Sequence, residues 1–203
     1  VILYADGITN ARLDGVTVTG GLADGHQGHR SEGGGICFMA VGDSNTTIVN
    51  CTISNNSATS NGGGVACIES SPAITNCTVS GNVGSGLDCT NASYPVISNC
   101  IISGNTGAAV SGWLSAVEII NCTISGNAAG GVGIGRGGAG ITNSVFWQNA
   151  GGAVHGSHGG NPIVNNCLFF DNPDGDYYYS PATGEEPTVY TGAAEINALK
   201  ESS

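Results

Sequence analysis

Short segments in which hydrophobic and polar residues alternate run through most of the chain, and they predict β-strands. Residues 48–56 read Ile-Val-Asn-Cys-Thr-Ile-Ser-Asn-Asn, where Cys51 and Ile53 alternate with polar neighbours. The pattern recurs with spacings of 35, 26, 23, 22, 22 and 23 residues. A period in the low twenties that holds about three short strands is typical of a solenoid. The aligned positions are Val16, Cys51, Cys77, Cys100, Cys122, Ser144 and Cys167.

Each repeat divides into three predicted strands. The first ends in an inward aliphatic residue and is followed by a bend at an asparagine. Asparagine tolerates the left-handed backbone, and its amide can bond the same amide one coil away. The second strand carries the cysteine position, and the third follows a turn rich in glycine and asparagine. We therefore expect three parallel sheets around a narrow core, with about seven coils and a height of roughly 34 Å. The bend residues are Asn50, Asn76, Asn99, Asn121, Asn143 and Asn166.

Most of the eight cysteines share one position in the repeat. Equivalent residues of neighbouring coils lie about 4.8 Å apart, which is within disulfide range. Their side chains point in parallel, however, and this suits the dihedral angle of a disulfide poorly. We expect a column of buried thiols that pack as small hydrophobic groups, with a few disulfides between coils as the alternative. The column contains Cys51, Cys77, Cys100, Cys122 and Cys167.

The composition excludes several kinds of partner. Asp and Glu number 15 against 4 Lys and Arg, which gives a net charge of -11. Such a surface repels nucleic acid and anionic membranes, so neither is expected as a partner. No run approaches about 18 apolar residues, so membrane insertion is not expected either. The 35 glycines are periodic and belong to the repeat.

The Ile-x-Asn-Cys-Thr-Ile-Ser-Gly-Asn repeat and its Gly-Gly-Gly-Val segments resemble the right-handed parallel β-helix of the pectin-lyase-like superfamily. More narrowly, they resemble the repeat-rich secreted and cell-surface proteins of environmental bacteria. The resemblance implies an all-β, right-handed, three-sheet parallel β-helix over residues 1–172, in an extracellular or cell-surface location. Residues 173–203 are expected to form an acidic, Tyr-rich loop and a short C-terminal cap, with a helix at 192–200. Outward Trp147 and Phe170 are expected to lie beneath this cap.

The first coil carries an insertion, because it is 35 residues long against the usual 22 or 23. Much of the excess is residues 22–32, and loops on a rigid scaffold commonly carry function. Two histidines with a neighbouring carboxylate would bind a divalent metal, or a histidine would act as a base beside an arginine. A solvated loop with local ion pairs is the alternative. The insertion contains Asp24 and the four catalytic candidates, His26, His29, Arg30 and Glu32.

The outer face of the third strands is where enzymes of the superfamily hold polysaccharide, so the resemblance implies a binding surface there. Trp113, Ile68 and Met39 predict an exposed apolar strip, on which a sugar ring stacks or which a partner covers. Asp88 and His155 lie on the adjacent outward row, three coils and roughly 14 Å apart, too far to act on one bond together. The substrate-binding candidates are therefore Trp113, Asp88, His155 and Ile68, with ordinary surface residues as the alternative.

One acidic turn has the composition of a calcium site. Asp171, Asp174 and Asp176 surround the sequence Asn-Pro-Asp-Gly-Asp and offer the oxygen ligands that calcium prefers. The later bidentate glutamate of a calcium-binding loop is missing, so an acidic turn without metal is the alternative. We expect no cofactor, with calcium at this turn as the alternative.

The sequence favours a scaffold over an enzyme. A lyase of this superfamily would need clustered carboxylates and a basic residue as catalytic base, and the chain has only four Lys and Arg. No two carboxylates occupy neighbouring outward positions, so cleavage of a glycosidic bond has no evident acid–base pair. Residues 1–4 begin directly in a strand without a cap, so we expect either that preceding coils are missing from this chain or that another molecule stacks on this end. We predict a structural or adhesive role, with carbohydrate binding or a carbohydrate-active enzyme as the alternative. The expected partner is itself or a polysaccharide.

Overall fold

Three parallel sheets form the body of the molecule, and each coil contributes one strand to each sheet. The computed structural model describes residues 3–7, 10–25, 31–42, 45–60, 62–180 and 188–190. Two of the three sheets have seven strands each, and the predicted all-β parallel solenoid is confirmed. The described residues include no helix long and apolar enough to cross a membrane.

Strands are numbered in chain order. Sheet A contains β1 (Leu3–Asp6), β5 (Ile36–Gly42), β9 (Val65–Ser70), β12 (Leu87–Thr90), β15 (Val110–Trp113), β18 (Val132–Gly135), β21 (Val154–Ser157), β24 (Tyr177–Tyr179) and β25 (Thr188–Tyr190). Sheet B contains β2 (Arg12–Asp14), β6 (Thr47–Val49), β10 (Ala73–Thr75), β13 (Val96–Ser98), β16 (Ala116–Ile120), β19 (Gly138–Thr142) and β22 (Asn161–Asn165). Sheet C contains β3 (Thr17–Thr19), β7 (Thr52–Ser54), β11 (Thr78–Ser80), β14 (Ile101–Ser103), β17 (Thr123–Ser125), β20 (Val145–Trp147) and β23 (Leu168–Phe170). A small fourth sheet pairs β4 (Leu22–Ala23) with β8 (Ser57–Ala58).

The core is a set of stacked columns, because the strands pair in parallel with equivalent residues side by side. In sheet B, Ile74 pairs with Ile48 on one side and Ile97 on the other. These residues are completely buried. Near the C-terminal end the column of sheet C changes to aromatic residues, where Phe146 stacks on Phe169 with ring centroids 5.1 Å apart. The inward positions of the repeat therefore supply the core, as the alternation predicted.

The predicted asparagine bends connect sheet B to sheet C. All six residues have positive φ, between 52° and 55°, which confirms the left-handed bend. Two pairs of side chains bond between coils, Asn76 to Asn50 at 3.4 Å and Asn121 to Asn99 at 3.3 Å. These amides are exposed, so they make a surface ladder.

A second, buried asparagine ladder connects sheet C to sheet A, and the sequence interpretation missed it. The Oδ1 atom of Asn105 accepts from the Asn82 backbone N–H (3.0 Å) and from Asn82 Nδ2 (2.9 Å). In turn, Asn105 Nδ2 donates to Asn127 Oδ1 at 2.9 Å. The ladder therefore satisfies the polar groups of a corner that lies inside the protein. Its members are Asn56, Asn82, Asn105, Asn127, Asn149 and Asn172.

The cysteine column lies just before the strands of sheet C, and its members take part in hydrogen bonds there. All eight cysteines are free and buried. The backbone N–H of Cys77 donates to Sγ of Cys100 at 3.4 Å, and the Cys77 thiol donates to the Thr75 carbonyl at 3.2 Å. Ser144 occupies the same position in its coil, where its Oγ accepts from the Cys122 N–H at 3.1 Å. The thiols thus act as hydroxyl groups would, and they are not joined in disulfides.

The solenoid extends past residue 172, the predicted end of the repeat region. Strand β24 pairs in parallel with β21, and β25 then pairs antiparallel with β24. Trp147 and Phe170 are 44% and 62% exposed. Most of the C-terminal segment that was predicted to cover them lies outside the described residues. The predicted helix at residues 192–200 lies outside the described residues.

Candidate functional site

The outward side chains of sheet A are buried in the first coils. Cys37, Ala66 and Ile68 form a small buried cluster on this face, against which Met39 packs. Ile68 is only 4% exposed, so the prediction of an exposed strip that includes Ile68 is wrong. The physical reason is that its neighbours on the same face are apolar and pack on it, which strand alternation alone does not reveal.

Asp88 marks the boundary of the closed region. Its side chain is only 6% exposed, so the prediction of a surface carboxylate on this row is wrong. Burial raises the pKa of Asp88 to about 6, a hydrogen bond from Ser111 opposes this, and the nearby charge of Glu32 adds to it. Glu32 comes from the long first coil, so the structure brings two separately predicted candidates, Glu32 and Asp88, into electrostatic contact.

Beyond Asp88 the face opens, and Trp113 is its largest exposed side chain. The Trp113 ring is 39% exposed and lies over Gly135 of the next coil, where an added Cβ would overlap ring carbons. The ring of His158 meets it edge-on, with centroids 5.4 Å apart. The guanidinium of Arg136 lies 5.6 Å from the Trp113 ring centre, within range of a cation–π contact.

Arg136 and His158 reach Trp113 because both occupy the corner where sheet A turns into sheet B. Their φ angles are 51° and 52°, in the left-handed region. This conformation costs about 1–2 kcal/mol for most residues. Leu114 holds the same position one coil earlier, with φ 53°. Ala40 and Glu69 have the same conformation at this corner in earlier coils, so the left-handed backbone is a property of the fold.

His155 stands beside a gap in the same face. Its register partner in the preceding coil is Gly133, and no described atom lies within 4 Å of where a Gly133 Cβ would be. Tyr178 packs edge-on against His155, with ring centroids 4.5 Å apart. Partial burial, and then the charge of His158, lower the pKa of His155. We call Trp113, Gly133, Arg136, His155 and His158 the Trp113 patch.

An open groove lies next to the patch along the same corner. Its volume is about 720 Å³. It extends to Leu114, the residue that follows Trp113 in the chain. The groove is lined by Ala40, Glu69, Asn91, Ala92 and Leu114.

The remaining sequence candidates do not form a site in the described residues. His26, His29 and Arg30 lie outside them. Asp171 accepts a hydrogen bond from Gln148 and Asp176 accepts one from Asn172, both at 3.0 Å. In the part of the chain that the structure describes, no three His, Cys, Asp or Glu side chains come together as metal ligands. The calcium site therefore stays a prediction without geometric support.

The sequence interpretation missed His158 as a site residue, although a signal for it was present. Leu114, Arg136 and His158 are spaced by 22 residues, the period of the repeat in this region. Arg136 and His158 are two successive basic side chains at one position of the repeat. Because the chain has only four Lys and Arg, this pair would have indicated the corner as a candidate site.

These features define a parallel β-solenoid with an aromatic and basic patch on one sheet. The chain belongs to the right-handed β-helix family, because the profile described as "Right handed beta helix region" matches residues 3–142 and 114–184. The family resemblance predicted from the sequence is thereby confirmed. Searches of curated proteins and of solved structures found no significant match to the chain.

Proposed function

We propose that this protein is an extracellular or cell-surface β-helix scaffold that binds carbohydrate at the Trp113 patch. The observation that carries the proposal is the exposed Trp113 ring, fixed over Gly135 and flanked by Arg136 and His158. Carbohydrate sites in proteins commonly combine an aromatic face with a few convergent polar groups. The patch has both features.

The arrangement suits a sugar chemically. The apolar C–H face of a pyranose ring stacks on an indole, and Arg136 and the imidazoles supply hydrogen bonds to hydroxyl groups. Because Trp113 lies on a regular sheet and is held by neighbouring coils, little side-chain freedom is lost on binding. The gap at Gly133 gives room for a ring substituent.

We propose binding rather than cleavage. Asp88 and His155 lie in one row with Ser111 and Gly133 between them, so they are about 14 Å apart at the usual strand spacing. Groups so far apart cannot act together on one glycosidic bond. Asp88 is also buried, which restricts its access to substrate.

The two tryptophans of the chain provide a matched test. Trp113 and Trp147 are similarly exposed, at 39% and 44%, but they lie on sheets A and C. We expect Trp113→Ala to abolish retention on immobilised polysaccharides in a glycan screen and Trp147→Ala to preserve it. Equal loss in both variants, or full retention by Trp113→Ala, would reject the patch as the binding site.

End-to-end stacking is a second candidate, favoured by a cavity of about 210 Å³ at the first coil. Core side chains of Ala5, Leu13, Ile36 and Phe38 line it. Thr46 also lines it, and the buried Oγ1 of Thr46 has no hydrogen-bond partner among the described residues. Ala5 and Leu13 are only partly buried, and a further coil supplied by a second copy would cover them. Sizing and electron microscopy over a range of concentrations test this, since filaments are expected and a strict monomer would contradict stacking.

A further inference from the structure

The corner between sheets A and B carries one exposed residue per coil at the same position of the repeat. Each of these residues has positive φ, between 49° and 55°. Each also directly follows one member of a row of register partners in sheet A. The members of that row are Met39, Ile68, Thr90, Trp113, Gly135 and Ser157. We call the exposed residues the corner column, which contains Ala40, Glu69, Asn91, Leu114, Arg136 and His158.

The corner column joins the open groove to the Trp113 patch. Its first four residues line the groove, together with Ala92. Its last two, Arg136 and His158, lie against the Trp113 ring. Because Trp113 directly precedes Leu114, its ring lies beside the column where the groove ends. We propose that the column is a linear binding track for a neutral polysaccharide, whose chain runs along the solenoid axis from the groove to Trp113. This inference rests on the proposed function and adds its substrate class and the extent of the site.

The spacing of the column suits an extended chain of sugars. Successive members lie one coil apart, which is about 4.8 Å at the usual strand spacing. The units of an extended β-1,4-linked chain repeat at a similar distance, so one sugar can lie at each coil. The five intervals of the column span roughly 24 Å. A disaccharide would therefore occupy only part of the track, and a hexasaccharide would occupy most of it.

The groove offers both polar and apolar groups to a sugar. The side chains of Glu69 and Asn91 are exposed, and neither makes a hydrogen bond to another described residue. A carboxylate accepts hydrogen bonds from hydroxyl groups, and an amide both donates and accepts them. Leu114, which is 48% exposed, provides apolar contact together with Ala40 and Ala92. The volume of about 720 Å³ is also typical of ligand sites.

The charge of the groove favours a neutral chain over an acidic one. The protein has a net charge of -11, and Glu69 has no ion-pair partner among the described residues. An acidic sugar in the groove would lie beside this carboxylate, and repulsion at about 4 Å in water lowers the affinity about fivefold. Arg136 is three coils from Glu69, roughly 14 Å, which exceeds the screening length of about 8 Å at physiological salt. Arg136 therefore does not offset the charge of Glu69.

Oligosaccharides of different length and charge test the track by isothermal titration calorimetry. The neutral probes are cellobiose, cellohexaose, mannobiose and mannohexaose. The acidic probes are the same hexasaccharides oxidised at C6, which carry a carboxylate on each sugar. We expect at least one neutral hexasaccharide to bind on the order of tenfold more tightly than its disaccharide, because it makes contacts along the whole track. It should also bind at least about fivefold more tightly than its oxidised form.

Ala40→Leu separates the track from the Trp113 patch. Leu114 holds the same position three coils later, so the left-handed backbone accepts leucine there. The larger side chain should fill the far end of the groove, weaken the neutral hexasaccharide at least about fivefold and leave the disaccharide unchanged. Ala128→Leu, at an exposed alanine between sheets C and A, is the matched control and should change neither. Glu69→Gln should strengthen the oxidised hexasaccharide about fivefold and change the neutral one less than about twofold.

Circular dichroism establishes that each variant is folded. If hexasaccharide and disaccharide bound equally well, or if Ala40→Leu left the hexasaccharide affinity unchanged, the track would be rejected and binding at the Trp113 patch would stand. Tighter binding of the oxidised hexasaccharides would overturn the neutral substrate class. If none of the saccharides bound, both the track and the proposed function would be rejected.

Discussion

Replacing Asn105 with alanine tests whether the buried asparagine ladder holds the coils together. Asn105 is 1% exposed and lies in the middle of the ladder, between Asn82 and Asn127. Alanine fits the space but removes every polar atom of the side chain. The variant therefore isolates the ladder from the packing of the aliphatic columns.

The expected loss follows from four hydrogen bonds of Asn105. Its Oδ1 accepts from the backbone N–H and the Nδ2 of Asn82, at 3.0 Å and 2.9 Å. Its Nδ2 donates to Asn127 Oδ1 at 2.9 Å and to the Val79 carbonyl at 3.3 Å. At about 1 kcal/mol net for each bond, the free energy of unfolding should fall by about 4 kcal/mol. That is a large part of the roughly 5–15 kcal/mol by which a folded domain is stable.

Urea unfolding followed by circular dichroism measures the loss, with Asn99→Ala as the control. Asn99 is an exposed bend residue that accepts one bond, from Asn121 at 3.3 Å. Its replacement should cost only about 1–2 kcal/mol, mainly because alanine tolerates the left-handed backbone poorly. If Asn105→Ala cost no more than Asn99→Ala, the buried ladder would not be the stabilising element described above.

Three further predictions concern the buried carboxyl, the thiols and the patch. The pKa of Asp88 is raised in the folded state, so its ionisation destabilises the fold as the pH rises above about 4. Asp88→Asn should therefore raise the free energy of unfolding at about pH 7.5 by on the order of 2 kcal/mol and have little effect at about pH 4. Equal effects at both pH values in urea unfolding would contradict this. Cys100→Ser should change the free energy of unfolding by no more than about 1 kcal/mol, because Ser144 already makes the equivalent bonds. A thiol reagent should reach all eight cysteines only after unfolding, because all eight are buried. Gly135→Ala should displace the Trp113 ring and weaken retention on polysaccharide while circular dichroism stays unchanged, and undiminished retention would show that the ring position is unimportant.

The repeat spacing was sufficient to predict the architecture and the inward columns. Each coil buries the same positions, so one alternating segment such as residues 48–56 describes the rest. The asparagine bends were predictable because few other residues accept the left-handed backbone. The buried ladder was missed although its residues end the same repeat, since a polar residue in a turn is ordinarily taken as exposed.

The candidate site was predictable only in part. Trp113 and His155 were recognised as outward residues, and the structure brings them to one open area with Arg136. Ile68 and Asp88 were also recognised as outward, but both are buried. Alternation gives the direction of a side chain relative to its sheet, and it does not say what lies above that sheet.

The sequence by itself therefore determined the period, the three sheets and the contents of the core, because in a solenoid each coil contacts mainly its neighbours in the chain. Only the tertiary structure decided which part of the outer face is open. That depends on contacts between parts of the chain far apart in sequence, such as the influence of Glu32 on Asp88. It also depends on the Trp113 ring, which crosses Gly135 and contacts His158 two coils away. The repeat pattern does not predict such contacts, because they are made by the residues in which the coils differ.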